Sequence, residues 1–426
     1  MNRKLFILLL LFFSIVPNLG FFNYASLLII VFILINLLIF KDKNRVIFKQ
    51  SSTLGLLILP IYGLIYYGGL YQNQGSILIG KYIIFFLLII VSLFNLIPVK
   101  SNYDHYLFKG IIVFYLIISF LTIYNSPHPH VDTVVVLKEA PLKLIQGKNP
   151  YSEEYSRVYP GIEPNYYNYL PASFLYSLPF VLLFNDPRFG IICANLVSIF
   201  LLRKLFKNKI NPYSLNILTL VFLFLPRSFY ILEHSYLDPI IFLFFICFLY
   251  FYLNKKIGWA ILFLGFFFSF RQTLIILLPI LLQGIKKLQE IITLKKLILF
   301  FFPFMIVFLF FIFNPKAFLE DVFFNLNPNK ITSPIYNSLT LPSLLNKTIF
   351  VSNNQYGYLT GYLFFLLLYL FVYLQKRHIL IKLSTVLLLF NIFMYHAFFN
   401  SYYLVCLFLF TDYLFNFSRR FKNFGA

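Results

Sequence analysis

The chain has 426 residues, of which 60% are hydrophobic and 12% charged, with 58 Phe and 32 Tyr; its mean hydropathy is +0.83. Such a balance excludes a soluble globular protein, and apolar runs of roughly 17 to 20 residues between short charged links match helices that cross a bilayer. The net charge of +21 lies mostly in Lys/Arg clusters between those runs, where the positive-inside rule reads it as topology and no nucleic-acid partner is implied.

The fold class expected is therefore an all-α polytopic membrane protein of about 12 to 15 transmembrane helices, with amphipathic interfacial helices in two long extracytoplasmic loops. Cys193, Cys247 and Cys406 all fall in apolar runs, where they act as small hydrophobes and not as a disulfide framework. The opening MNRKLFILLLLFFSIVPNLG lacks a small-x-small cleavage site and is expected to be an uncleaved first span.

In chain order, spans are expected near residues 4–20, 24–40, 52–70, 82–98 and 107–124. The links alternate: Asn2 to Lys4 is basic, 17–23 uncharged, KDKNRVIFK at 41–49 basic, YQNQGSILIGK at 71–81 nearly neutral, and 100–109 basic again. With basic links cytoplasmic, residues 125–168 lie outside. Counting back from Arg419, Arg420 and Lys422 gives spans near 403–417, 380–398, 357–374, 296–314, 272–284, 258–270, 237–253, 213–226 and 189–203. The forward and backward counts meet at 169–185, YLPASFLYSLPFVLLFN, which has to begin and end outside. Pro171 and Pro179 interrupt its helical bonding, so it is either re-entrant or a neighbouring basic cluster breaks the charge rule. Three regions follow: N-terminal spans at 1–106, a core at 107–285 and C-terminal spans at 286–426.

Residues 125–168 form the longest stretch that hydrocarbon cannot accept, and loops this long usually have a task. Residues 131–147 pattern as one surface helix with Val134, Leu137, Leu144 and Ile145 apolar, Pro141 bending it and Gly147 ending it in a left-handed turn. Asp132 then occupies the first turn, where the helix dipole favours an ionised carboxylate. A carboxylate so placed can act as a base on an acceptor hydroxyl, although Asp132 as a plain helix N-terminal residue is the bland alternative. His128 and His130, in PHPH, are metal candidates together with Asp132, or simply a loose turn. Glu153 and Glu154 read as solvated, and Tyr155, Tyr159, Tyr166 and Tyr167 as interfacial belt residues or sugar-stacking platforms. The segment RSFYILEHSYLDP gathers Arg227, Glu233, His234 and Asp238 within about a dozen residues, either as a substrate or metal site or as a solvated loop. Arg271, on a tight turn, is either a phosphate ligand or a snorkelling anchor. In the second excursion, 315–355, Phe318, Val322 and Phe323 share one face with Glu320 and Asp321 off it, which predicts a short interfacial helix.

An Asp shortly after an outward span, an amphipathic segment ending in Gly147-x-Asn149-Pro150-Tyr151, and Tyr169-Leu170-Pro171 opening the next apolar segment resemble the GT-C superfamily of integral membrane glycosyltransferases. The likeness is to bacterial mannosyltransferase-like members of glycosyltransferase family 87, and it covers roughly residues 107–285. Five spans precede the loop here where members usually have one, and one Asp stands in place of an acidic pair. The resemblance implies a polyprenyl-phosphate sugar donor, a glycan, lipid or protein acceptor and catalysis on the extracytoplasmic face, with Asp132 as base. It further implies substrate binding by Arg271, Arg227, Glu233, His234, Asp238 and Tyr151, with a divalent cation such as Mg or Mn compatible with the chemistry. The rival readings are an O-antigen polymerase or ligase, which would rely on Arg and His, and a lipid-linked-glycan flippase or transporter. A transporter would place ionisable groups mid-membrane, and His396 in the 380–398 run is the residue that favours it. The basic-inside bias fits a bacterial plasma membrane as well as an endoplasmic reticulum, and compact loops with no glycosylation-rich domain favour the former.

Overall fold

The computed structural model describes residues 3–40, 54–96, 103–158, 164, 166–284, 293–324, 337–348, 355–394 and 396–415. Those residues are mostly helical, and among them there is no strand beyond one isolated bridge, Phe21 to Ser338. Among the described residues four helices are long and apolar enough to cross a membrane by length and composition, and ten shorter apolar helices accompany them. The protein is an all-α polytopic membrane protein.

The chain gathers into two compact units. The first contains helices α1 (Arg3–Ile15) and α2 (Tyr24–Ile39), then α13 (Leu278–Gly284), α16 (Leu341–Thr348), α17 (Gln355–Leu374), α18 (Ile379–Phe393) and α19 (Phe399–Phe415). The second contains α3 (Ile58–Ile65), α4 (Gln74–Leu96), α5 (Tyr103–Tyr124), α6 (Asp132–Ile145), α7 (Ala172–Phe184), α8 (Arg188–Phe206), α9 (Pro212–Leu223), α10 (Ser228–Glu233), α11 (Asp238–Leu253), α12 (Ile257–Phe268), α14 (Leu294–Phe313) and α15 (Pro315–Leu319).

In the second unit the charges mark two ends. Arg188, the first residue of α8, is buried and donates from Nη1 to the carbonyl and hydroxyl of Ser126, just past α5, while Nε and Nη2 bind Asp186. At the opposite end Arg203 donates to Asn216 Oδ1 and Thr219 Oγ1, and Asn216 donates to the Asp104 carbonyl at the start of α5. The 22 residues of α5 separate these anchors by about 33 Å, the thickness of a hydrocarbon core. The link RKLFKNK at 203–209 thus lies at one end of the unit, and the long polar loop with Asp132 at the other.

This arrangement explains why the two span counts collide. Leu170, leading into α7, donates its N–H to the Phe270 carbonyl beside Arg271, and α7 ends at a left-handed Asn185 (φ 56°) directly before the Arg188 anchor. Both ends of α7 are at the Asp132 end, and its 13 residues reach only about 20 Å, too short to cross. Most other helices fall close to their expected limits, but α1, α3 and α18 stop about five residues short of the spans expected at 4–20, 52–70 and 380–398, and α4 starts early. It begins at Gln74 and not near 82, because Asn73 accepts the Ser76 N–H and caps the helix inside the link read as nearly neutral.

His396 lies beyond the end of α18 at Phe393, exposed and edge-on to the Phe398 ring at 4.8 Å. It is not within a helix. The two-ended charge arrangement predicts that Cys introduced in place of Glu154 and in place of Lys207, both exposed, will be labelled by a membrane-impermeant thiol reagent from opposite faces of sealed vesicles. Labelling of both from the same face would contradict it.

Candidate active site

Helix α6 forms as the 3.6-residue pattern predicts, burying Thr133, Val134, Val136, Leu137, Ala140 and Pro141. It packs on α7 and ends at Gly147, φ +76°, with Lys148 N–H donating to the Lys143 carbonyl at 3.0 Å. Ile145 is 55% exposed, contrary to expectation, because it falls about 100° from the centre of the buried stripe. Glu153, read as solvated, faces Lys143 at 3.7 Å and Lys148 at 3.2 Å, and Glu139 accepts the Ser156 N–H.

Asp132 is the first residue of this helix, and its Oδ1 accepts the Thr133 N–H at 2.7 Å. The residue is open to solvent, yet protein crowds around it closely enough that desolvation raises its carboxyl pKa, against the lowering effect of that backbone hydrogen bond. Thr133 Oγ1 donates to the His234 carbonyl at 2.9 Å, fixing the helix start to the turn before α11.

Around Asp132 stand residues from three separate stretches. Asp238, fully buried at the start of α11, lies 3.4 Å from Arg271 Nη1, and its second oxygen, Oδ2, is buried with no hydrogen-bond partner. The Arg271 guanidinium is 5.9 Å from the centre of the Tyr169 ring. Burial pushes the Tyr169 phenol up; Arg271 opposes this, while the charges of Asp132 and Asp238 add to it. Burial, with repulsion from Asp132 and then Asp321, pushes the Tyr166 phenol up to about 12. Tyr236 is raised by burial, then by Tyr230, Asp132 and Tyr169. Two carboxylates, one guanidinium and three phenols therefore share one neighbourhood, open to solvent at Asp132.

Other expected site residues have different tasks. Glu233 is fully buried and its carboxylate accepts the N–H groups of Leu70 at 2.6 Å and Tyr71 at 3.1 Å, clamping the turn between α3 and α4. It is a structural anchor and not a ligand contact, because both oxygens are committed to backbone. Arg227, in the left-handed region at φ 64°, donates to the Gly68 carbonyl at 3.1 Å and lies over the Tyr66 ring, so it braces the same turn. His234 is buried between the rings of Tyr230 and Tyr236, and burial pushes its pKa down to about 3, which makes it a neutral packing residue. The solvated-loop reading of 233–238 is thereby overturned.

Tyr151 also departs from expectation. Its hydroxyl donates to the Tyr169 carbonyl at 2.8 Å, and its ring is enclosed by Tyr167, Phe174, Phe310 and Phe318. At 3% exposure it cannot meet a substrate, and it acts by holding Tyr169 in place. Tyr155 and Tyr167 are buried in the same cluster, while Tyr159 and Glu163 lie outside the described residues. The metal grouping fails as well: among the described residues no three His, Cys, Asp or Glu side chains are placed to hold a metal ion. His128 and His130 are both exposed, with the His130 ring facing the Val158 carbonyl at 3.1 Å. The donor set that Mg or Mn would need is not assembled there.

Asp321 was not expected to take part. It accepts the Tyr167 N–H at 2.8 Å and is 8% exposed. Residues Glu320–Phe324 form a π turn, which shifts the face pattern: Phe318 and Val322 are buried as expected, while Phe323 is 51% exposed and Asp321 turns inward. Gln272 Nε2 donates to the Val322 carbonyl at 2.6 Å, so the second polar excursion is stitched to the segment beside Arg271. Burial raises Asp321 from the ordinary 3.8 to about 6. No family model matches this chain, and neither a curated protein nor a solved structure matches it.

Two outcomes are expected. A Cβ on Gly69 would fall 1.7 Å from Glu233 Oε2, so Gly69→Ala should destabilise the protein by about 1–3 kcal/mol through overpacking; an unchanged thermal midpoint would refute the clamp. Because folded Asp321 holds its proton more tightly than the unfolded chain, its stabilising contribution is complete below about pH 3.8 and is lost as pH rises through about 6. Thermal midpoints of wild type and Asp321→Asn, measured across that window, should differ in pH slope, the wild type falling more steeply; parallel curves would remove the assignment.

Proposed function

We propose that the protein is a membrane glycosyltransferase of GT-C type, moving a sugar from a polyprenyl-phosphate donor to a glycan, lipid or protein acceptor outside the cytoplasm, with Asp132 as general base. The observation that carries this reading is Asp132 itself: a solvent-open carboxylate at a helix start, raised by desolvation, whose charge, like that of the Arg271 guanidinium, acts on the Tyr169 phenol. A base with a raised pKa takes a proton from a hydroxyl more readily than an ordinary carboxylate.

In the reaction, the ionised Asp132 accepts the proton of the acceptor hydroxyl as its oxygen bonds to the anomeric carbon. The bond from that carbon to the phosphate oxygen breaks with inversion, and the electron pair leaves on polyprenyl phosphate. Arg271, with a planar guanidinium suited to bidentate phosphate contact, stabilises the departing charge. Asp238 orients that guanidinium. Support for a lipid donor comes from an open apolar face formed by Ile117, Phe120, Leu121, Ile123, Tyr124 and Phe189, at the Asp132 end of α5 and α8. A polyprenyl chain lying there brings its phosphate to the polar loop. No step in this scheme runs through a metal.

The experiment is transfer from radiolabelled polyprenyl-phosphate sugars by the purified protein, scored by release of the lipid phosphate. Asp132→Asn, with the fold retained, should lower transfer by at least about 100-fold, the low end of a general base's contribution; full retained activity would remove the assignment. The base must be deprotonated to act, so the wild-type rate should rise with pH, with its acid limb displaced above the usual carboxylate range.

A further inference from the structure

The end of the second unit opposite Asp132 carries a row of exposed lysines. Lys204 and Lys207 lie at the end of α8, Lys255 and Lys256 in the turn between α11 and α12, and Lys295 in the first turn of α14. The fold makes these neighbours. α8 and α11 both start at the Asp132 end and pack side by side, and Lys204 reaches across to put its Nζ 5.4 Å from the centre of the Tyr250 ring in the last turn of α11. Lys255 then takes the left-handed conformation, φ 59°, and the Lys256 N–H donates to the Phe251 carbonyl at 2.9 Å, which doubles the chain back tightly into α12. α12 packs on α14: Gly258 faces the Leu299 side chain, and Gly265 lies so close to the Phe300 carbonyl that a Cβ would fall 2.3 Å from it. α14 finishes at the Asp132 end, where Asn314 donates to Ser152 Oγ, so its start, with Lys295, stands beside the α11–α12 turn.

The charge of this row is not matched from within. Among the described residues none of the five lysines makes an ion pair. The described acid at this end, Asp104, acts on Arg203, and the adjoining sequence 285–292 sets Lys286 and Lys287 against a single Glu290. Lys256 and Lys295 also stand at the beginnings of α12 and α14, where the helix dipole is itself positive and disfavours a cation. Their side chains therefore repel their own helices until an anion is brought up.

Hydrocarbon begins immediately beneath. Trp259, the one tryptophan of the chain, is 57% exposed on the first turn of α12, its ring 6.1 Å from that of Phe251. An indole at this level marks the boundary between acyl chains and headgroups. The first residue of α14, Leu294, is 77% exposed, and the helix is long and apolar enough to cross a membrane. An anion that meets the lysines while its apolar part lies against Trp259 and α14 is a lipid phosphate, and lysine clusters just beyond spans attract such lipids.

We propose that this row of lysines is a binding surface for anionic phospholipid headgroups in the leaflet opposite Asp132. It does not rest on the glycosyltransferase reading.

The single tryptophan reports on the surface directly. Full-length protein is reconstituted in phosphatidylcholine vesicles that contain, at equal mole fraction, either acyl-brominated phosphatidylglycerol or acyl-brominated phosphatidylcholine, and quenching of Trp259 fluorescence is compared. Phosphatidylglycerol should quench more strongly and saturably, and the excess should shrink as salt screens the attraction. Lys256→Gln and Lys295→Gln should each lower the preference about fivefold, the worth of one lysine near an anionic surface. Both side chains are exposed and make no ion pair, so their replacement leaves the fold intact. Lys148→Gln, at the Asp132 end, should leave the preference unchanged. Equal quenching by the two lipids, the result if the lysines serve a soluble acidic partner, would overturn the proposal. So would a preference that neither substitution lowers, or one that Lys148→Gln lowers as much, since net charge alone would then explain it.

Discussion

Hydrocarbon cannot hydrate a charge, and that single constraint arranges the second unit. The charged groups that tie α5 and α8 to their neighbours sit at the two ends of a helix about 33 Å long: Arg188 with Asp186 and Ser126 at one, Arg203 with Asn216 and Thr219 at the other. Once both ends are pinned, the polar segments between spans have nowhere to go but over the end they emerge from. Residues 125–158, 227–238, 269–272 and 314–324 therefore crowd onto one end of this unit, and that crowding, not any local motif, assembles the cluster around Asp132.

The crowding also sets the chemistry. Asp132 is wet at its tip but hemmed in by Tyr166, Tyr169 and Tyr236, so it feels protein more than bulk water. Asp238 is taken fully out of water and matched by Arg271. Two aspartates of identical intrinsic acidity thus acquire distinct tasks from their surroundings, one suited to proton exchange and one to holding a cation in place.

Helix positions were legible because their signals are local. Gly147 announces a helix end, and the apolar runs are long enough to need no further cue. The start of α4 was missed because its Asn73 cap lies within a polar link that reads equally well as loop. The fates of Tyr151, Glu233 and Asp321 were beyond local reasoning. Tyr151 is enclosed by Phe310 and Phe318, Glu233 is claimed by Leu70 and Tyr71, and Asp321 is claimed by Tyr167. Every one of those partners is more than 150 positions away. A faint signal existed for the clamp: two adjacent glycines, Gly68-Gly69, in a chain with only 17, mark a place where backbone must come close to something.

Helix α7 has a consequence for where lipid meets the site. It carries Pro179 within its length, and both its ends are held at the Asp132 end, one through Leu170 and Phe270, the other just before the Arg188 anchor. Its last turn exposes Leu182, Leu183 and Phe184, at 59%, 75% and 52%, so a short apolar helix lies along the same end of the unit as Arg271 and Tyr169.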